Sequence, residues 1–357
     1  MSPEVPIYLV GATGAEYTVD ADVGGEHCLY ELWDGRRFTY ADDPGAGQQV
    51  VDVSIVKAVC LSPKQEVRFM EFAERETRLS KKASFKNIIR YLDYLPDIHA
   101  LCMERFTLED ALDVREARLD DEGILALAWD ILSALAYLHG RGLVHGDVRP
   151  RNILVFPASE TADGSRPREQ YKLFGHGIVK AQRHKSDGYT APELQRHKQS
   201  SRKEDGFKAD VWMLGVLLWQ CHRYGKGHDA AVPPASRPSG HARLAKPDLE
   251  QGSLDGLSPL LLRPSGCEPR AHGDVESLLR KMLIEEPSER YGAMELVEEI
   301  SRARWLRRGQ AAAEGEEVWG IREAVAMARR ETRKGVLRRI FATVRGVFRG
   351  LGWALLG

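Results

Sequence analysis

Cysteine is scarce in this chain of 357 residues: Cys28, Cys60, Cys102, Cys221 and Cys267 stand far apart, with no CxxC pair and no Cys/His spacing suited to a metal. An odd, scattered set excludes a disulfide framework and predicts free thiols in a reducing, intracellular and cytoplasmic setting. No run of 18 uncharged apolar residues occurs, which excludes a simple membrane-spanning helix on sequence grounds. The opening MSPEVPIYLVGATG lacks a basic stretch followed by an apolar one, so no secretory signal is expected. A net charge of −1 gives no reason to expect a nucleic-acid partner. Negative charge is missing in one place, because no acidic residue follows Glu331, and residues 301–357 hold 13 Lys/Arg against 5 Asp/Glu.

What is present changes character along the chain. Residues 1–60 alternate short apolar runs with Gly, Asp and Pro clusters, the pattern of strands joined by turns. KQEVRFMEFAERETRLSKK has helical spacing, and strand signals return in NIIRYLDYL and IHALCMERF. Beyond residue 107 helices dominate: GILALAWDILSALAYLHGRG is strongly periodic, and ADVWMLGVLLWQCH is apolar all round, as a helix in a domain interior is. Residues 157–170 form a polar excursion between two strand-like runs, and 222–273 mix Gly, Pro, Ser and His as a long loop region does. A strand-rich first third before a helical remainder predicts an α+β chain with two lobes.

Several local patterns then accumulate. HGDVRPRN sets Asp147 and Asn152 five residues apart after a periodic helix. GYTAPE ends on Glu193, and EEPSERYGAMEL carries Arg290. DVWMLGV contains Asp210, SIVKAV ends a strand on Lys57, and RETRLSKKASFKNIIRYLD follows with Glu76. Together they resemble a eukaryotic protein kinase domain of serine/threonine type over most of residues 50–305. HGD in place of HRD is shared with aminoglycoside-phosphotransferase-like kinases, but those lack the GYTAPE and DVWMLGV patterns.

The resemblance implies a bilobal fold, with an N-lobe at 1–105 and a C-lobe at 106–308; outside it, residues 309–357 read as a basic amphipathic tail. The resemblance also implies ATP as cofactor, with Asp147 accepting a hydroxyl proton, Asn152 reaching a phosphate-bound Mg²⁺, and Arg149 in the family's lysine position. Lys57 is the candidate for the α/β-phosphates and Glu76 its ion-pair partner. Met103 is the candidate gatekeeper, and the backbone of Glu104 the candidate adenine contact. VGATGAEYTV, with Gly11 and Gly14, resembles a degraded glycine-rich loop. Its distance from Lys57 requires an insertion at about 24–50. Glu193 and Arg290 are expected to pair, and Asp210 to brace the catalytic-loop backbone.

One carboxylate is missing. The family's D-F-G aspartate chelates Mg²⁺, whereas this chain reads Lys172-Leu173-Phe174-Gly175-His176-Gly177. Aligning FG puts Leu173 at the aspartate position; aligning the preceding K-L-x puts Gly175 there. Neither gives a hard oxygen ligand. The expectation is a catalytically impaired pseudokinase that scaffolds or regulates a protein partner. Its alternatives are an active kinase for a protein substrate and a membrane-peripheral adaptor. In the tail, residues 333–357 space apolar residues helically, with Arg338, Arg345 and Arg349 largely opposite. That segment suits either a helix docked on the domain or an in-plane helix on an anionic membrane.

Overall fold

The computed structural model describes residues 7–20, 30–40, 48–58, 85–157, 169–175, 188–196, 203–225, 275–308, 320–327 and 329–330. The helix predicted around Glu76, the bulk of 222–273 and the segment 333–357 lie outside the described residues.

Six antiparallel strands build the first lobe: β1 (Ile7–Val10), β2 (Glu16–Asp20), β3 (Tyr30–Tyr40), β4 (Gln48–Ala58), β5 (Tyr91–Leu95) and β6 (Ala100–Glu104). Their order in the sheet is β1-β2-β3-β4-β6-β5. The insertion expected at 24–50 is therefore corrected. Residues 30–40 form a strand paired with both β2 and β4, so most of that stretch is ordinary sheet. The sheet curls, because the turn after β1 reaches the opposite edge, where Ala12 N–H donates to the Tyr94 carbonyl at 2.8 Å.

Strand alternation divides the apolar residues between two faces. One face packs Tyr17, Val19, Val53, Ile55 and Cys102 together. The other packs Leu32, Val56 and Met103 against Phe106, Leu154 and Phe174, which joins the sheet to the second lobe.

That second lobe is helical. Helix α1 (Asp121–Gly140) starts where the Asp120 carboxylate accepts from Gly123 N–H, with Asp121 and Glu122 in its first turn. Every residue from Ile124 to Leu138 is buried, so the helix has no polar face and forms the core of the lobe. It is long and apolar enough to cross a membrane, but it is buried inside the domain. Its interior carboxylate, Asp130, accepts from Tyr171 N–H at 3.1 Å. Around it lie α2 (Pro192–Arg196), α3 (Lys203–Gly225), α4 (Val275–Met282) and α5 (Ala293–Arg308). Strands β7 (Ile153–Phe156) and β8 (Gln170–Leu173) pair on either side of the polar excursion, as the sequence predicts.

A further helix, α6, covers 320–327, inside the stretch assigned to the tail from sequence. Its Ile321 and Val325 are buried in the helical core. A side chain at Gly140 would meet Val325 Cγ1 at 2.9 Å, so α6 seats directly on the end of α1. This part of 309–357 belongs to the domain.

Candidate functional site

The loop after α1 is held from below by one buried carboxylate. Asp210, on α3, accepts from His145 N–H at 2.9 Å and Gly146 N–H at 2.7 Å, and lies 2.9 Å from His139 Nε2. Gly146 has φ +83°, a left-handed conformation that suits glycine. The His145 ring accepts from Asp147 N–H through Nδ1 and so carries its proton on Nε2, which donates to the Phe174 carbonyl at 3.0 Å. These bonds fix both the loop and the strand end opposite it.

Asp147 and Asn152 come together as the sequence predicts. Asn152 Nδ2 donates to the Asp147 carbonyl and to its Oδ2, both at 2.7 Å. Asp147 is 1% exposed and ion-paired to Arg149, while Arg151 Nη2 lies 3.3 Å from its Oδ2. Burial pushes its pKa up, but Arg149, Arg151, His145 and the Asn152 hydrogen bond together hold it below the usual carboxylate range. Sequence alone assigns Arg151 no role of its own, because a four-residue offset signals contact only along a helix and residues 147–149 are loop.

Gly175 stands on the other side of Asn152. A Cβ there would lie 3.4 Å from Asn152 Oδ1, and the glycine has φ +89°. Leu173 is 1% exposed, packs in the helical core and pairs with Ile153. Of the two candidates for the aspartate position, Leu173 lies in the core and Gly175 is the residue facing the asparagine.

Glu193 and Arg290 form a two-pronged pair at 2.8 and 3.1 Å. Arg290 also donates to the carbonyls of Ile284 and Lys208, each at 2.8 Å, and lies over the Trp212 ring. A fully buried guanidinium is tolerated because its donors are satisfied.

Residues 48–300 match the protein kinase domain family. The chain belongs to that family. It is 31% identical over 156 residues to the human non-receptor tyrosine-protein kinase TNK1, a match covering 42% of this chain and 23% of that protein. It is 31% identical over 158 residues to mitogen-activated protein kinase kinase 10 of Arabidopsis thaliana, covering 41% and 48%. To the serine/threonine-protein kinase pkn3 of Myxococcus xanthus it is 25% identical over 234 residues, covering 61% and 40%. Each match spans less than half of the relative's own length.

Protein kinases hold ATP with Mg²⁺ between the lobes, and among the described residues the hinge of this kinase domain has few backbone donors left to offer that group. Three of its N–H groups are already used. Glu104 N–H donates to Arg90 O at 3.0 Å, and Thr107 N–H to the Asp110 carboxylate at 2.5 Å. Ser54 Oγ accepts from Phe106 N–H at 2.9 Å and donates to Phe106 O at 2.7 Å. The Phe106 ring packs on Phe174, with centroids 5.1 Å apart, in the cluster that holds Met103 and Leu154. The Glu104 carboxylate is bound to Lys172 Nζ through both oxygens at 2.9 Å. Ser54 opens SIVKAV and Lys172 opens the stretch compared with D-F-G, but neither pattern assigns these two side chains a role.

Lys57 lies elsewhere. The register pairs it with Ala100 and pairs Ser54 with Met103, so Lys57 and Met103 project from opposite faces of the sheet. Its amine sits 3.8 Å from Glu31 and over the Trp33 ring.

The glycines named as a nucleotide-covering loop are corrected by the topology. In the family the lysine strand is third, and the phosphate loop joins the two before it. Counting back from β4, those two strands are β2 and β3, and the residues that join them, 21–29, lie outside the described residues. Gly11 and Gly14 belong to the preceding turn and serve structure. A side chain at Gly11 would come within 2.7 Å of Asp93 Cγ, and Gly14 takes a left-handed turn conformation. The loop is pinned by Asp93, which accepts from Thr13 N–H, Thr13 Oγ1 and the Tyr17 hydroxyl.

Proposed function

We propose that this kinase domain is impaired in Mg²⁺-dependent phosphoryl transfer and works as a scaffold or allosteric partner of another protein. The observation that carries this reading is Gly175 facing Asn152, where a metal would need a carboxylate. A bound metal contributes several kcal/mol to stabilising transferred charge, so its loss slows transfer by about a hundredfold to ten-thousandfold. The Asp147 carboxylate, held ionised by Arg149 and Arg151, is also a poor proton acceptor. What remains is a rigid two-lobed body with a braced catalytic loop, whose exposed surfaces are available to a protein.

A second reading is transfer of the ATP γ-phosphoryl group to a protein serine or threonine. The retained Asp147, Asn152 and Asp210 favour it. Thermal-shift titration with ATP, with and without Mg²⁺ or Mn²⁺, separates the two. The scaffold reading expects a small shift that metal does not change. A stabilisation by several degrees that appears only with metal overturns it in favour of the second.

A further inference from the structure

A groove of about 380 Å³ lies between α5 and α6, away from the catalytic loop. Met294, Val325 and Ala326 give it an apolar lining, and Arg329 and Arg330 stand on its rim, both exposed. Its one acid, Glu298, is already engaged: Arg322 bonds its Oε1 through Nε at 3.0 Å and Nη2 at 2.8 Å. Three guanidinium groups against one carboxylate leave the groove with a surplus of positive charge over an apolar floor.

We propose that this groove is a docking site for an anionic phospholipid in a bilayer, headgroup on Arg329 and Arg330 and acyl end toward Met294 and Ala326. The chain's own continuation is a poor occupant on charge grounds. It carries Arg333, Lys334, Arg338, Arg339, Arg345 and Arg349, with no acid after Glu331, so it has the same sign as the rim. An anionic surface attracts the rim and the cations of this continuation alike. The inference is independent of whether the catalytic site transfers phosphate.

The test is co-sedimentation of the full chain with phosphatidylcholine vesicles and with vesicles containing phosphatidylserine. Binding is expected only to the second. Arg329→Gln with Arg330→Gln should weaken it about 25-fold, at roughly fivefold per cation removed. Ala326→Asp removes no cation but places a carboxylate on the groove floor, and should weaken binding at least about fivefold by the same scale. Because both arginines are exposed, the double variant remains decisive even if Ala326→Asp fails to fold. Unchanged binding by the double variant overturns the proposal, since residues beyond 330 would then suffice. Equal binding to neutral vesicles also overturns it, as does binding of a soluble polyglutamate peptide without vesicle binding.

Discussion

Asp147 faces two guanidinium groups from its own loop, and its proton affinity is lowered as a result. An unfolded aspartate titrates near about 3.9. With the folded value below that, the ion pairs contribute fully above the unfolded pKa, and the contribution is lost as pH falls through the folded one. Asp147→Asn should therefore cost of order 3 kcal/mol at neutral pH by leaving two arginines facing an amide, and much less in acid. Urea denaturation at both pH values measures this; an equal loss at each would show that the charge is not what matters. The neighbouring glycine permits a gain-of-function trial. Gly175→Asp should introduce Mg²⁺-dependent stabilisation by ATP, at about 1–3 kcal/mol of strain from its positive φ. Leu173→Asp buries a carboxylate in the core and should only destabilise. A metal-dependent thermal shift in the Leu173 variant and none in the Gly175 variant would reverse the register.

Between elements, single side chains tie distant parts of the chain. Glu193→Ala or Arg290→Ala should each cost about 3–5 kcal/mol. The double variant should cost less than their sum, because the second change removes what the first left uncompensated. Strict additivity in chemical denaturation would show that they do not couple. In the sheet, burial, with Cys102 and Asp93 adding to it, raises the Tyr17 pKa, so its hydroxyl stays a donor to Asp93 at 2.9 Å. Asp93→Ala strands several donors at once and should destabilise by more than 2 kcal/mol, at roughly 1–3 for each donor left buried. A loss well under 1 kcal/mol in urea denaturation would mean that water replaces the carboxylate.

These ties also show what was legible. Asp147 with Asn152 could be named because five residues of one loop separate them, and Glu193 with Arg290, 97 residues apart, because each sits in a pattern that resembles the kinase family. The glycines could not be placed, since a turn glycine looks the same in whichever hairpin it lies. Only pairing through β3 shows that Gly11 and Gly14 precede the strands in question. The face chosen by Lys57 was hidden for a related reason: a one-residue change of register inverts a strand, and nothing in SIVKAV fixes it.

At the scale of the molecule, the lobes share one apolar cluster and are clamped at the hinge. Glu104 pairs with Lys172 of β8, and Arg105 with Asp34 of β3, its Nη2 lying 2.7 Å from Asp34 Oδ2. The body continues past the family match into α6. Ending the chain after residue 308 should lower its stability by about 3–6 kcal/mol, counting 1.5–3 for each of Ile321 and Val325 at full burial. An unchanged melting temperature for that truncated chain would show that α6 is dispensable to the fold. The anchoring of α6 on Gly140 also sets a length. The 27 residues from 331 to 357 depart from a point fixed to the domain. Fully extended, they span at most about 97 Å, at up to roughly 3.6 Å per residue. Whatever captures residue 357 therefore keeps the two-lobed body within that radius, and raises its local concentration around any binding site that lies there.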